Sequence, residues 1–147
     1  MIAVLQRVTS GNVTIDGRLA GKIDQGLVVL LGVMRDDDEN DADFLVKKIA
    51  GLRIFNDKNG KLNLSIKDIH GTALVVSQFT LCADTHKGRR PSFVRAAPPE
   101  KGSTLYEDFM KKLEVQGVPV QSGEFGAMMN VNIQNDGPVT IVLNSRD

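Results

Sequence analysis

The sequence predicts a single α/β domain, a largely antiparallel sheet or barrel-like pair of β layers carrying two main helices. Three observations predict it. The chain has 147 residues, which suits one compact domain over 1–147, and no linker or internal repeat divides it. Runs of strand length, either alternating or apolar throughout, fill its first 33 residues and its end. Two segments carry apolar residues at helical three- and four-residue steps.

Taken in order, Ile2, Val4, Val13 and Ile15 alternate with polar neighbours, and Asp16-Gly17 marks a turn between strands. Leu27-Val28-Val29-Leu30-Leu31 is apolar on both faces and reads as a central buried strand. Residues 39–53 form the first helix, with Ala42, Leu45, Val46, Ile49 and Leu52 on one face. The acids Asp36, Asp37, Asp38, Glu39, Asp41 and Asp43 sit at its first turn, where the helix dipole favours negative charge. They lack the glycine and the spaced acceptors of a calcium loop. Arg53-Ile54-Phe55 reads as a short strand and Asn59-Gly60 as a hairpin turn.

Thr72 to Leu81 reads as a second buried strand, followed by a loop over 82–98 rich in Gly, Pro and Arg. Pro98-Pro99 opens the second helix, whose face is Leu105, Phe109 and Leu113 with Tyr106 and Met110 beside it. Gly117 and then Pro119 stop it. Ala127 to Ile133 and Val139 to Leu143 read as the last strands, separated by Asn135-Asp136-Gly137-Pro138. The tail Asn144-Ser145-Arg146-Asp147 is expected to fray.

Composition narrows the function. With 41% apolar residues, no Trp and one Tyr, the core is aliphatic with a few Phe. No run approaches the roughly 18 apolar residues of a membrane span, and the termini carry no targeting signal, so a cytoplasmic address is expected. Cys82 is the only cysteine, which excludes an internal disulfide. A net charge of zero argues against a general nucleic-acid coat. The unbroken positive sign of Lys87, Arg89, Arg90 and Arg95 leaves room for one local phosphate patch.

Three segments are candidates for chemistry. Ser77-Gln78-Phe79-Thr80-Leu81 closes a buried strand with two hydroxyls and an amide, which are either satisfied by the backbone at a strand running out to the surface or used in a site. Asn135-Asp136-Gly137-Pro138-Val139-Thr140 is either a plain turn or a special one. Lys87-Gly88-Arg89-Arg90-Pro91-Ser92-Phe93 is either a solvated loop or a phosphate-binding one, with Phe93 stacking on a base or on the core. Cys82 and His86 are the obvious nucleophile and base, but Cys82 follows a buried strand and reads as a core residue, with no third member nearby. Two histidines and one cysteine at no ligand spacing make no zinc site, and neither phosphate-loop nor dinucleotide glycine motifs occur. No metal and no cofactor are expected.

Together these segments resemble the D-aminoacyl-tRNA deacylase family over almost the whole chain. The likeness runs from Met1-Ile2-Ala3-Val4-Leu5-Gln6-Arg7-Val8 through Leu30-Leu31-Gly32-Val33, Arg53-Ile54-Phe55 and Asn63-Leu64. Its two signatures are Ser77-Gln78-Phe79-Thr80-Leu81 and Asn135-Asp136-Gly137-Pro138-Val139-Thr140. Ala83-Asp84-Thr85, Arg90-Pro91-Ser92-Phe93 and Phe125-Gly126-Ala127 lie between them. One departure stands out: Met128 occupies a position where the family usually has Asp.

The resemblance implies a hydrolase that removes D-amino acids from tRNA, working as a homodimer with its active sites at the interface. Ser77, Gln78, Phe79 and Thr80 are implied to line the pocket for the 3′ aminoacyl-adenosine end. Gly137 and Pro138 are implied to enter from the other subunit, joined by a cis bond, and to exclude L-residues. Phe79 and Thr80 are the expected catalytic residues, the backbone N–H groups around them serving as oxyanion donors. Thr80 acts either as a nucleophile or by placing water, and placement is favoured because no base adjoins it in sequence. Lys87, Arg89 and Arg90 are expected to hold tRNA phosphates. Glycyl-tRNA, which has no side chain to exclude, is expected to be cleaved too. Three competing readings are an RNA-binding module without catalysis, an editing domain of a synthetase, and a Cys82-based hydrolase that insensitivity to thiol alkylation would remove.

Overall fold

The computed structural model describes residues 1–147. Strand β1 (Ile2–Ile15) turns at Asp16-Gly17 into β2 (Arg18–Ile23) and β3 (Gly26–Gly32), and helix α1 (Glu39–Gly51) follows. Both turn residues have positive φ, 49° and 79°, as a tight hairpin requires. A small hairpin of β4 (Phe55–Asn56) and β5 (Leu62–Leu64) precedes β6 (Thr72–Ser77), a 3-10 turn (Phe79–Cys82), α2 (Pro99–Val115), β7 (Val120–Ser122) and β8 (Asn130–Asn144).

β2 and β3 return in succession along one edge of β1, both antiparallel, while β8 runs antiparallel along its other edge. β6 then adds to β3 in parallel and β7 to β6 in parallel. The sheet curls until β2 meets β7, where a Cβ on Gly21 would stand 2.6 Å from the Ser122 carbonyl oxygen. A glycine there lets the two backbones approach and brings the sheet close to a barrel.

β3 is the central strand that its apolar run predicts, buried on both faces. Leu27, Val29 and Leu31 face the helices, joining Ala3, Leu5, Leu45, Ile49, Phe109 and Leu113 in the larger core. Val28 faces the inside of the curl with Val8, Val13, Ile23, Leu74 and Val76. The acids before α1 divide their work. Asp38 caps the helix, accepting from the Asn40 N–H at 2.8 Å, and its own N–H donates to Asp41 Oδ2 at 2.9 Å. Asp37 is buried and accepts from the Met1 ammonium at 2.7 Å and from the Met34 N–H at 2.6 Å.

Three local expectations are corrected. The strand over 72–81 stops at Ser77, and the chain then tightens into the 3-10 turn. The two last strands are one, because β1 continues past Gly137-Pro138 and pairs with β8 on either side of it. The tail is not frayed. The Ser145 N–H donates to the Met1 carbonyl at 2.9 Å, the Ser145 hydroxyl donates to Asp41 Oδ1 at 2.6 Å, and the Arg146 guanidinium lies 3.5 Å from Asp37 Oδ1.

Candidate active site

β6 places the first signature. The Gln78 N–H makes the last ladder bond, to the Leu31 carbonyl at 2.8 Å. The Leu81 N–H then returns to the Gln78 carbonyl at 3.2 Å and closes the turn. Gly32 at the end of β3 permits this, since a Cβ there would stand 3.0 Å from Leu81 Cβ and 3.1 Å from the Gln78 carbonyl oxygen. Cys82 anchors the far end of the turn, buried, with its thiol donating to the Val33 carbonyl at 3.4 Å. Burial, with the charge of Asp37 adding to it, raises the thiol above its ordinary pKa. A neutral, buried thiol is a poor nucleophile, so Cys82 holds the turn.

The turn forms one wall of a cavity of about 630 Å³ that gathers Ser77, Gln78, Phe79 and Thr80. Ala96 and Ala97 before α2, Pro99 at its start, and Phe125 to Met129 with Val131 before and in β8, form the rest. The lining is mostly apolar, with its polar atoms concentrated at the strand end, as in sites that bury an apolar group and fix one polar one. Met128 sits at the rim, 90% exposed. The Gln78 side-chain amide donates to Thr80 Oγ1, leaving the threonine hydroxyl hydrogen available to a second acceptor. The first N–H groups of a helical turn, here those of Phe79 and Thr80, have no acceptor within the turn.

Gly137 and Pro138 do not line this cavity. They lie exposed on β8, joined by a cis bond. The β1–β8 register passes from Gln6↔Thr140 to Val8↔Asn135, so residues 136–139 bulge out opposite Arg7. Side chains replace the missing ladder. The Val139 N–H donates to Asn135 Oδ1 at 2.8 Å, and Asn135 Nδ2 donates to Thr140 Oγ1 at 3.1 Å. Arg7 is buried beneath, donating through Nε to the Asp136 carbonyl at 2.9 Å and through one terminal nitrogen to the Ile54 carbonyl at 2.9 Å and Asn56 Oδ1 at 3.2 Å. Sequence reasoning assigned Arg7 no part in the site. Its signal was a cation at the inward position after Ala3 and Leu5 on an alternating strand.

Lys87, Arg89 and Arg90 occupy an exposed loop outside the cavity. The loop is pinched at its base by the paired backbones of Asp84 and Ser92, at 2.8 and 2.9 Å. Asp84 also accepts from the backbone and ring of His86, which hold its carboxyl below the ordinary range. Phe93 connects loop to cavity, its ring packed edge-on against Phe79 with centroids 4.9 Å apart.

Against known proteins, residues 4–144 match the family model described as D-Tyr-tRNA(Tyr) deacylase. The D-aminoacyl-tRNA deacylase of Thermosipho melanesiensis is 54% identical over 147 residues, covering 99% of this chain and 98% of that one. The D-aminoacyl-tRNA deacylase of Clostridioides difficile is 55% identical over 145 residues, covering 99% and 97%. The solved structure of a c-Myc DNA unwinding element binding protein superposes with a TM-score of 0.92 at 41% identity, covering 98% of each chain. With its first signature lining one cavity and the likeness running from end to end, the chain belongs to the D-Tyr-tRNA(Tyr) deacylase family.

Proposed function

We propose that this protein hydrolyses the ester of D-aminoacyl-tRNA, releasing free tRNA and a D-amino acid, and rejects L-aminoacyl-tRNA. The observation that carries the reading is the cavity at the end of β6, which brings Ser77, Gln78, Phe79 and Thr80 together in a chain of this family. An aminoacyl ester is activated, so its hydrolysis needs an oriented water and donors for the oxyanion. The N–H groups of Phe79 and Thr80 are suited to the second task. The Thr80 hydroxyl is suited to the first, because its oxygen already accepts from Gln78 and no base is arranged to deprotonate it.

Chiral selection belongs, in this reading, to Gly137 and Pro138 of a second copy, whose carbonyl oxygens enter the cavity. With the substrate's amino group and ester carbonyl held, a D side chain points to open space. An L side chain meets those oxygens and strips them of water. A filter of this kind tests chirality and ignores side-chain identity, so glycyl-tRNA, including glycine misattached to alanine tRNA, passes it and is cleaved. Lys87, Arg89 and Arg90 hold phosphates of the acceptor end. The protein acts in the cytoplasm, where tRNA is charged.

The test is deacylation of tRNA charged with D-tyrosine, L-tyrosine or glycine, repeated at low and high salt. The expected result is cleavage of the D- and glycyl esters alone, with tRNA binding that weakens as salt rises. Cleavage of both tyrosyl esters discards the filter. An inert glycyl ester contradicts this account of selectivity. Salt-independent binding removes the phosphate role of the loop, and tRNA binding without cleavage returns the protein to the RNA-binding modules.

A further inference from the structure

Helix α2 carries a glycine one turn from its start, at a position where alanine is the better helix former. Gly102 has no positive φ to require it, and its N–H donates to the Pro98 carbonyl at 2.9 Å, so the helix is regular there. Space is the remaining reason. A Cβ at Gly102 would stand 3.2 Å from Cζ and 3.6 Å from Cε2 of Phe125. The Phe125 ring also lies against Tyr106, with centroids 5.9 Å apart. Tyr106 has no freedom to yield, being buried with its hydroxyl donating to the Val75 carbonyl at 2.8 Å. The back of the Phe125 ring thus rests on α2, while the half-buried residue lines the cavity.

We propose that Gly102 is a positioning residue that sets the depth of the substrate cavity, its missing side chain letting Phe125 lie back on α2. The proposal rests on reading that cavity as the substrate pocket. A methyl group at position 102 moves the ring a few tenths of an ångström away from α2, toward the substrate. The residue touches no reacting atom, so the effect falls on binding and leaves the strand-end chemistry intact.

The experiment compares wild type, Gly102→Ala, Phe125→Leu and the double variant in three measurements: KM and kcat on D-tyrosyl-tRNA, melting temperature, and the crystallographic position of the residue 125 side chain. For Gly102→Ala the expected result is a KM raised about three- to tenfold with kcat within about twofold. Its melting temperature is unchanged or higher, as replacing a helical glycine by alanine predicts. The smaller leucine relieves the contact, so the double variant takes the KM of Phe125→Leu alone. An unchanged KM overturns the proposal, as does a joint loss of kcat and melting temperature that leucine does not rescue. If wild type leaves D-tyrosyl-tRNA intact, the functional reading fails first. The crystals then decide this proposal separately: a ring displaced toward the cavity upholds it, and an unmoved ring overturns it.

Discussion

At the scale of single residues, Thr80 offers the sharpest test of how the ester is attacked. Its hydroxyl accepts from Gln78 and has one hydrogen left to give. A nucleophile needs that hydrogen removed, whereas a water-placing residue needs it kept. Thr80→Ala deletes one hydrogen bond worth about 1 kcal/mol, so deacylation of D-tyrosyl-tRNA slows about five- to tenfold. Thr80→Val does more harm, because a methyl in place of the hydroxyl crowds the site and bars the water that can take the hydroxyl's place beside the Gln78 amide in Thr80→Ala. Thr80→Ser keeps the hydroxyl and most of the rate. Single-turnover deacylation of the three variants checks the order. Complete inactivity of Thr80→Ser is incompatible with either role for the hydroxyl, and complete inactivity of Thr80→Ala points back to a nucleophile.

At the scale of elements, the bulge of β8 shows why part of the fold was legible and part was not. The run Leu27 to Leu31 could lie only at the centre of a sheet, and the acids before α1 could serve only a helix start or an ion; β3 and the Asp38 cap follow from local chemistry alone. Asn135-Asp136-Gly137-Pro138 looks locally like a turn that ends a strand. It fails to end one because Arg7, more than a hundred residues away, supplies donors to the Asp136 and Ile54 carbonyls while the Asn135 side chain bonds both the N–H and the carbonyl of Val139 across the bulge. The end of β6 was misjudged for the same kind of reason. The 3-10 turn depends on the bare surface of Gly32 and the buried anchor of Cys82, and neither contact is local. The signature residues were legible, then, and the groups that hold them in place were not. Gly137→Ala tests that support. Its φ is 137°, and a Cβ would stand 2.9 Å from Val139 Cγ2, 3.0 Å from the Val139 nitrogen and 3.1 Å from an Arg7 guanidinium nitrogen. The substitution costs about 1–3 kcal/mol of stability. It also shifts the carbonyls assigned to chiral selection, so the ratio of D- to L-tyrosyl-tRNA cleavage falls. A melting curve paired with that ratio checks both halves, and a destabilised variant with undiminished selectivity removes residue 137 from the filter.

At the scale of the whole molecule, the two signature segments lie apart. Ser77, Gln78, Phe79 and Thr80 open into a cavity, while Gly137 and Pro138 stand on the surface outside it. β8 is paired on one edge only, by β1, and none of its 15 residues is fully buried. Val131, Ile133, Ile141 and Leu143 are covered only in part by the cores beneath them, and Val142 is 68% exposed. A long, half-covered edge strand is a surface that proteins seldom leave open. In the two-copy arrangement proposed above, a second chain related by a two-fold axis would cover it and carry Gly137 and Pro138 to the neighbouring cavity in the same step. Sedimentation equilibrium is therefore expected to give about twice the 16.0 kDa of one chain. Mixing distinguishes a shared site from two copies that merely touch. A Thr80→Val chain retains a sound Gly137-Pro138 segment, and a Gly137→Ala chain retains a sound cavity. Refolded together, they form mixed dimers in which one of the two sites is built from unaltered halves. D-selective cleavage by the mixture above the sum of the separate variants is the expected result. A monomer with full selectivity, or a mixture no better than its parts, places the filter within one chain and sinks the two-copy arrangement.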